Sequence, residues 1–146
     1  MGKTYKIKSP AKINIGLRVL SKRKDGFHNI ETIFYPLKIY DIININIKKT
    51  RRKEHQVNIV TKKFRNLDNE NNICYRAAEL FLKKFVQNGS FIININIEKN
   101  IPLGAGLGGG SSNAASVLKI LNRHFSGQDN ISDELKKIAA KLGSDV

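Results

Sequence analysis

Apolar and polar residues alternate along most of the first half of the chain. Residues 4–9 and 12–20 keep a period of two, which puts Ile13, Ile15, Leu17 and Val19 on one strand face and predicts that this face looks into the core. Pro10 interrupts the run, as at a bend or an edge position. Asp25-Gly26 is a turn signal. Beyond it strands are predicted at 28–37 and 40–48, the second with Ile43, Ile45 and Ile47 alternating against Asn44 and Asn46. Shorter runs at 57–61 and 91–98 complete the set. The last repeats the Ile-Ile-Asn-Ile-Asn-Ile of residues 42–47. Nothing around the two copies repeats, so the likeness reads as composition rather than duplication.

In the second half the period lengthens. Ile73, Ala77, Leu80, Phe81 and Phe85 recur at helical spacing, and Asn88-Gly89 offers a left-handed cap. Ala114, Val117, Leu118, Leu121 and Phe125 mark a second helix. A third opens at Ser132 with Asp133 and Glu134 in its first turn, carries Leu135, Ile138, Ala139 and Leu142, and closes at Gly143. Strands early and helices late predict an α+β domain rather than a doubly wound sheet. A length of 146 residues suits one domain.

Between the last strand and the second helix stands Ile101-Pro-Leu-Gly-Ala-Gly-Leu-Gly-Gly-Gly-Ser-Ser-Asn113. Five glycines fall within residues 104–110. Glycine tolerates positive φ and lets a ligand approach the main chain, and a helix start turns N–H groups and a positive dipole toward an anion. The stretch reads as a phosphate cradle; a flexible linker would not be pinned between a strand and a helix. It is not a P-loop, because Gly110 occupies the place of the required Lys. A dinucleotide fingerprint wants an acid ending a second strand, and Asp129 lies instead in a polar loop. What remains is another type of glycine-rich anion loop, with Ser111 and Ser112 as added donors or Mg²⁺ contacts.

Charge narrows the partners. The net charge is +14, from 26 basic and 12 acidic residues, which calls for an anion. Eight Lys and Arg gather between Lys48 and Arg65 against Glu54 alone, a solvated hairpin or loop on the simplest reading. The single cysteine, Cys74, excludes internal disulfides, falls in a helical pattern as buried packing, and fits a reducing compartment. No apolar run reaches the length of a membrane span and the first residues lack a signal-peptide core, so a cytoplasmic location and no membrane partner are expected.

Isolated residues say less. The three histidines are too scattered for a zinc site; His55 and His124 read as surface. Phe27 and His28 follow the turn side by side, as hairpin decoration or as a binding pair. Lys12 and Asn14, two apart, share one side of a strand. Asp145 follows a helix end, where an acid is usually a turn former. Together with the cradle, however, a lysine, a carboxylate and an aromatic–imidazole pair are the parts of a small-molecule kinase.

Four segments occur in order: Ser9-Pro-Ala-Lys-Ile-Asn14, Asp25-Gly-Phe-His28, the loop through Ala115, and Gly143-Ser-Asp-Val146. The set resembles the GHMP kinase superfamily, and the opening motif with Gly-Phe-His points to its branch that takes a diphosphocytidyl methylerythritol. The resemblance implies a ribosomal-protein-like mixed sheet with helices packed on one face. It implies that residues 1–146 form the N-terminal, ATP-binding domain, the C-terminal GHMP domain lying outside this chain. Asp145 would be the base for the 2-hydroxyl and Lys12 would hold that hydroxyl and the transferring phosphoryl. Asn14 would position the methylerythritol, Phe27 would stack on cytosine and His28 would bond its edge. ATP would lie on Pro102, Gly104, Ala105, Gly106, Leu107, Gly108, Gly109, Gly110, Ser111 and Ser112, with Asn72, Lys99 and Asn113 as further nucleotide contacts. Mg²⁺ would accompany it, with Ser112 as a contact. The product would belong to non-mevalonate isoprenoid synthesis.

Two departures stand out: Phe27 replaces the usual Tyr, and the chain stops one residue after Asp145. Weak or no turnover by these residues alone is therefore expected, with a second domain or polypeptide completing the cleft. Alternatives are another GHMP small-molecule kinase, or a basic RNA-binding module of similar fold, in which the glycine loop would have no purpose.

Overall fold

A computed structural model describes residues 2–24 and 26–146; Asp25, half of the predicted turn, lies outside the described residues. Its neighbours do turn: Gly26 has φ +88°, and the Arg23 amide donates to the Phe27 carbonyl at 2.7 Å. The predicted strand segments merge into four longer strands, β1 (Lys3–Lys22), β2 (His28–Thr50), β3 (Gln56–Lys62) and β4 (Ser90–Glu98). Pro10 does not end β1. It pairs with Tyr40 on an edge strand, where its missing N–H costs no ladder bond, and the register slips just after it.

The sheet order is β1-β2-β4-β3, antiparallel except for the β3–β4 pair. The near-identical Ile-Asn strands turn out to be neighbours, with Ile43, Ile45 and Ile47 opposite Ile97, Ile95 and Ile93. All six isoleucines are buried. Period two sends the asparagines to the other face, where Asn58 donates to Asn94 and Asn46 to Thr4. The basic segment is no hairpin, because β4 lies between β2 and β3; residues 51–54 form an exposed loop.

Helices α1 (Ile73–Phe85) and α2 (Gly109–Ser126) cover the isoleucine face, and α3 (Asp133–Leu142) packs on those two helices. Each start has a local reason. The Asn72 side chain accepts from the Cys74 amide, and the Ser132 hydroxyl accepts from the Leu135 amide. Gly89 is left-handed as expected, but α1 stops earlier, with Val86 as its cap, so Gly89 serves the turn into β4 instead. Among the described residues no helix is long and apolar enough to cross a membrane.

One expectation fails. β4 reaches only residues 42–50 of β2, so the outer parts of β1 and β2 run on as a two-stranded ribbon. Ile15, Leu17 and Val19 are exposed there, with Ile33, Phe34 and Tyr35 of β2. Their alternation marks a strand correctly, yet among the described residues these side chains stay exposed rather than packed into the core. His55 and His124 are not free surface groups either: the Phe91 amide donates to His55 Nδ1, and the Tyr5 hydroxyl lies 2.9 Å from His124 Nδ1.

Candidate functional site

The glycine loop arches between β4 and α2. Gly104, Gly106 and Gly108 have φ of 65–71°, a region side chains resist, and the space where β-carbons of Gly104 and Gly106 would point is open. Gly108 caps α2 in this conformation, and among the described residues no side chain caps the helix start. The first-turn N–H groups are thus left for a ligand at the positive end of the dipole. A β-carbon on Gly109 would fall 2.9 Å from the Ile101 Cγ2. Close packing beneath and open space above suit an oligophosphate laid on main-chain amides.

Lys12 comes to this arch from β1. Its amide donates to the Leu107 carbonyl at 2.9 Å, and its alkyl stem passes Gly108, where a β-carbon would meet Cε at 2.9 Å. Its ammonium bonds Asn14 Oδ1 at 2.7 Å, pairs with Asp145 Oδ2 at 3.0 Å and lies 4.8 Å from the centre of the Phe34 ring. Nearby, the Ser9 hydroxyl donates to that of Ser112 at 2.8 Å. Asp145 arrives from the turn after α3. A cleft of about 350 Å³ is bounded by Lys12, Phe34, Gly108, Ser112 and Asp145. Lysine and carboxylate therefore share one small space beside the glycine loop, although 133 positions separate them in sequence (145 − 12).

On the other side of the loop a hollow of about 220 Å³ is lined by Thr61, Asn72, Ile73, Cys74, Lys99, Leu103, Gly110 and Asn113. The three predicted nucleotide contacts outside the loop thus meet here, but each is partly committed. Asn72 caps α1 and donates to the Leu67 carbonyl, while Lys99 and Asn113 both bind the buried Asp41. Thr61 Oγ1 and Asn113 Oδ1 are buried without a hydrogen-bond partner among the described residues. Burial pushes the Cys74 thiol up to about 12, so it is inert packing.

Within the arch Pro102, Gly104, Ala105 and Gly106 are exposed, and Leu107, Ser111 and Ser112 half-buried. Phe27 and His28 are not brought to Lys12. His28 pairs with Lys22 at the ribbon's far end, whereas Lys12 pairs with Pro36. No group of three or more His, Cys, Asp or Glu among the described residues could hold a metal ion. Ser112, a Mg²⁺ contact by resemblance, has its hydroxyl bonded to Ser9.

Asp41 was missed as a site residue. Its signal was parity: it shares the inward phase of Ile43, Ile45 and Ile47, as Lys99 shares that of Ile93, Ile95 and Ile97. Opposite charges in the buried phase of two strands are a buried pair written in sequence.

Set beside known proteins, residues 72–146 match the family described as GHMP kinases N terminal domain. The chain belongs to the GHMP kinases. Among curated relatives, a 4-diphosphocytidyl-2-C-methyl-D-erythritol kinase of Caldicellulosiruptor bescii is 46% identical over 144 residues, which are 97% of this chain and 47% of the relative. The protein of that name from Acinetobacter baylyi is 40% identical over 97% of this chain and 48% of its own length. The crystal structure of a 4-(cytidine 5'-diphospho)-2C-methyl-D-erythritol kinase superimposes with a TM-score of 0.71 at 35% identity, covering 97% of this chain and 47% of that one. This GHMP kinase chain therefore spans about half the length of the relatives it matches.

Proposed function

We propose that this domain is the nucleotide-binding half of a kinase that phosphorylates the 2-hydroxyl of 4-diphosphocytidyl-2-C-methyl-D-erythritol. The observation that carries the reading is the Lys12–Asp145 pair, 3.0 Å apart at the rim of the glycine loop. The names of the relatives supply the substrate.

ATP supplies the phosphoryl group, and Mg²⁺ bound with it would offset the negative charge of the phosphates. The amides of residues 104–111 hold the phosphates, and the 220 Å³ hollow takes the nucleoside. Lys12 donates to the attacking hydroxyl and stabilises charge on the phosphoryl oxygens, in a part-shielded site where such a contact counts for more than in water. Asp145 takes the hydroxyl proton as the new O–P bond forms and the bond to the ADP oxygen breaks. Asn14 fixes the ammonium of Lys12. Phe27 stacks on cytosine and His28 bonds its edge. Because that pair stands on an open ribbon, cytidyl binding by these residues alone is weak, and transfer is slow until a second domain or polypeptide completes the cleft.

The test is transfer from ATP to the diphosphocytidyl substrate, followed by ³¹P NMR. A 2-phosphate product that disappears with Asp145→Asn is expected. Phosphorylation of mevalonate or homoserine in its place would refute the substrate, and absence of ATP binding would refute the whole reading.

A further inference from the structure

Asp41 is fully buried and its carboxylate takes four donors. Oδ1 accepts from the amides of Asn100 at 2.7 Å and Ile101 at 2.9 Å. Oδ2 accepts from Asn113 Nδ2 at 2.8 Å and pairs with the Lys99 ammonium. Residues 99–101 are where the chain leaves β4 for the arch, and residue 113 lies in the first turns of α2 where the arch ends. Both feet of the loop are fastened to one acid on a third element, β2.

We propose that Asp41 is a positioning residue that holds the glycine arch in its anion-binding shape. The inference rests on the nucleotide reading above and adds a residue to it. The chemistry is specific to a carboxylate. It offers acceptors only, about four lone-pair sites for four donors. Asparagine offers one oxygen, and its amide N–H₂ would face the donors. Packing alone does not call for this arrangement, since an apolar pair of similar volume holds a core as well as a buried ion pair. The placement is particular too. The Lys99 ammonium comes within 3.4 Å of where a β-carbon of Gly109 would stand, directly under the first residue of α2. Asp41 anchors that charge beneath the loop while binding both of its ends. A flexible glycine arch otherwise loses conformational entropy each time it closes on a ligand.

The experiment measures ATP affinity by titration calorimetry on the chain, at a temperature where circular dichroism shows every variant folded. Asp41→Asn is compared with Ile45→Val, which thins the core without touching the arch. Asp41→Asn should weaken ATP binding by about tenfold or more, the loss expected for charge-assisted bonds, and Ile45→Val should leave it at the wild-type value. Equal weakening in both variants, or none in Asp41→Asn, overturns the proposal and leaves the kinase reading intact. A wild-type chain that binds no ATP overturns both. If Asp41→Asn does not fold, hydrogen exchange on the wild type decides. The Asn100 and Ile101 amides should be slow without ATP, and ATP should slow only residues 104–111. Fast exchange at 100 and 101 that slows with ATP would mean an arch ordered by its ligand, contrary to the proposal.

Discussion

Lys12 separates a stabilising role from a chemical one by magnitude. Its ion pair joins side chains that are 21% and 35% exposed, and such pairs contribute less than about 1 kcal/mol. Facing a transferring phosphoryl group, the same ammonium is worth on the order of a hundredfold in rate or more. Lys12→Met should therefore keep the melting temperature within a few degrees of wild type and lower phosphoryl transfer by two orders of magnitude or more. A calorimetric scan beside the ³¹P assay checks both; a matching collapse in stability would make Lys12 a packing residue. This residue was only half legible in sequence. The two-residue spacing put Lys12 and Asn14 on one side, and the bond between them is there. The partner at position 145 was placed by resemblance, because no local pattern links residues so far apart.

At the scale of elements, the contrast lies within single strands. The inner part of β2 has β1 and β4 on its two sides and helices over its isoleucine face, while the outer part has only β1. A two-stranded ribbon is marginal in water without a covering layer. Backbone amides of residues 28–37 should thus exchange faster than those of residues 42–48 of the same strand, by about tenfold or more. Mass-spectrometric hydrogen exchange on the isolated chain measures this; uniform protection along β2 would refute it. Here lies the limit of the period-two signal. Alternation reports how side chains are disposed about a strand and is blind to whether another layer exists. The start of α3 was legible because capping is local, as at Ser132, whereas the Asn72 cap of α1 was found only in the structure; the arch was legible because glycine's freedom is local as well. The merging of strands and the pairing of the two Ile-Asn segments depend on the whole sheet, which no window of sequence contains.

For the whole molecule, β1 closes onto the end of α2 through Tyr5 and His124, and Phe125 carries the contact on to Phe91 and Phe81. Burial, and to a smaller extent the Lys3 ammonium, hold the His124 imidazole below its ordinary value of 6.5. The unfolded chain therefore takes this proton first. Stability from the neutral ring is complete above 6.5 and is lost as pH falls below it, until the folded ring is protonated as well. The melting temperature should drop more steeply between about pH 7.5 and 5.5 in wild type than in His124→Gln, by scanning calorimetry. Parallel slopes would show that this ring does not sense pH.

The bond from the Lys12 amide to the Leu107 carbonyl, with Ser9 reaching Ser112, ties the opening dozen residues to the crest of an arch nearly a hundred positions later. Trimming from the amino terminus would unfasten the glycine arch and at the same time strip β2 of its outer neighbour. Transplanting the arch and its helix alone would carry the motif without its buttress.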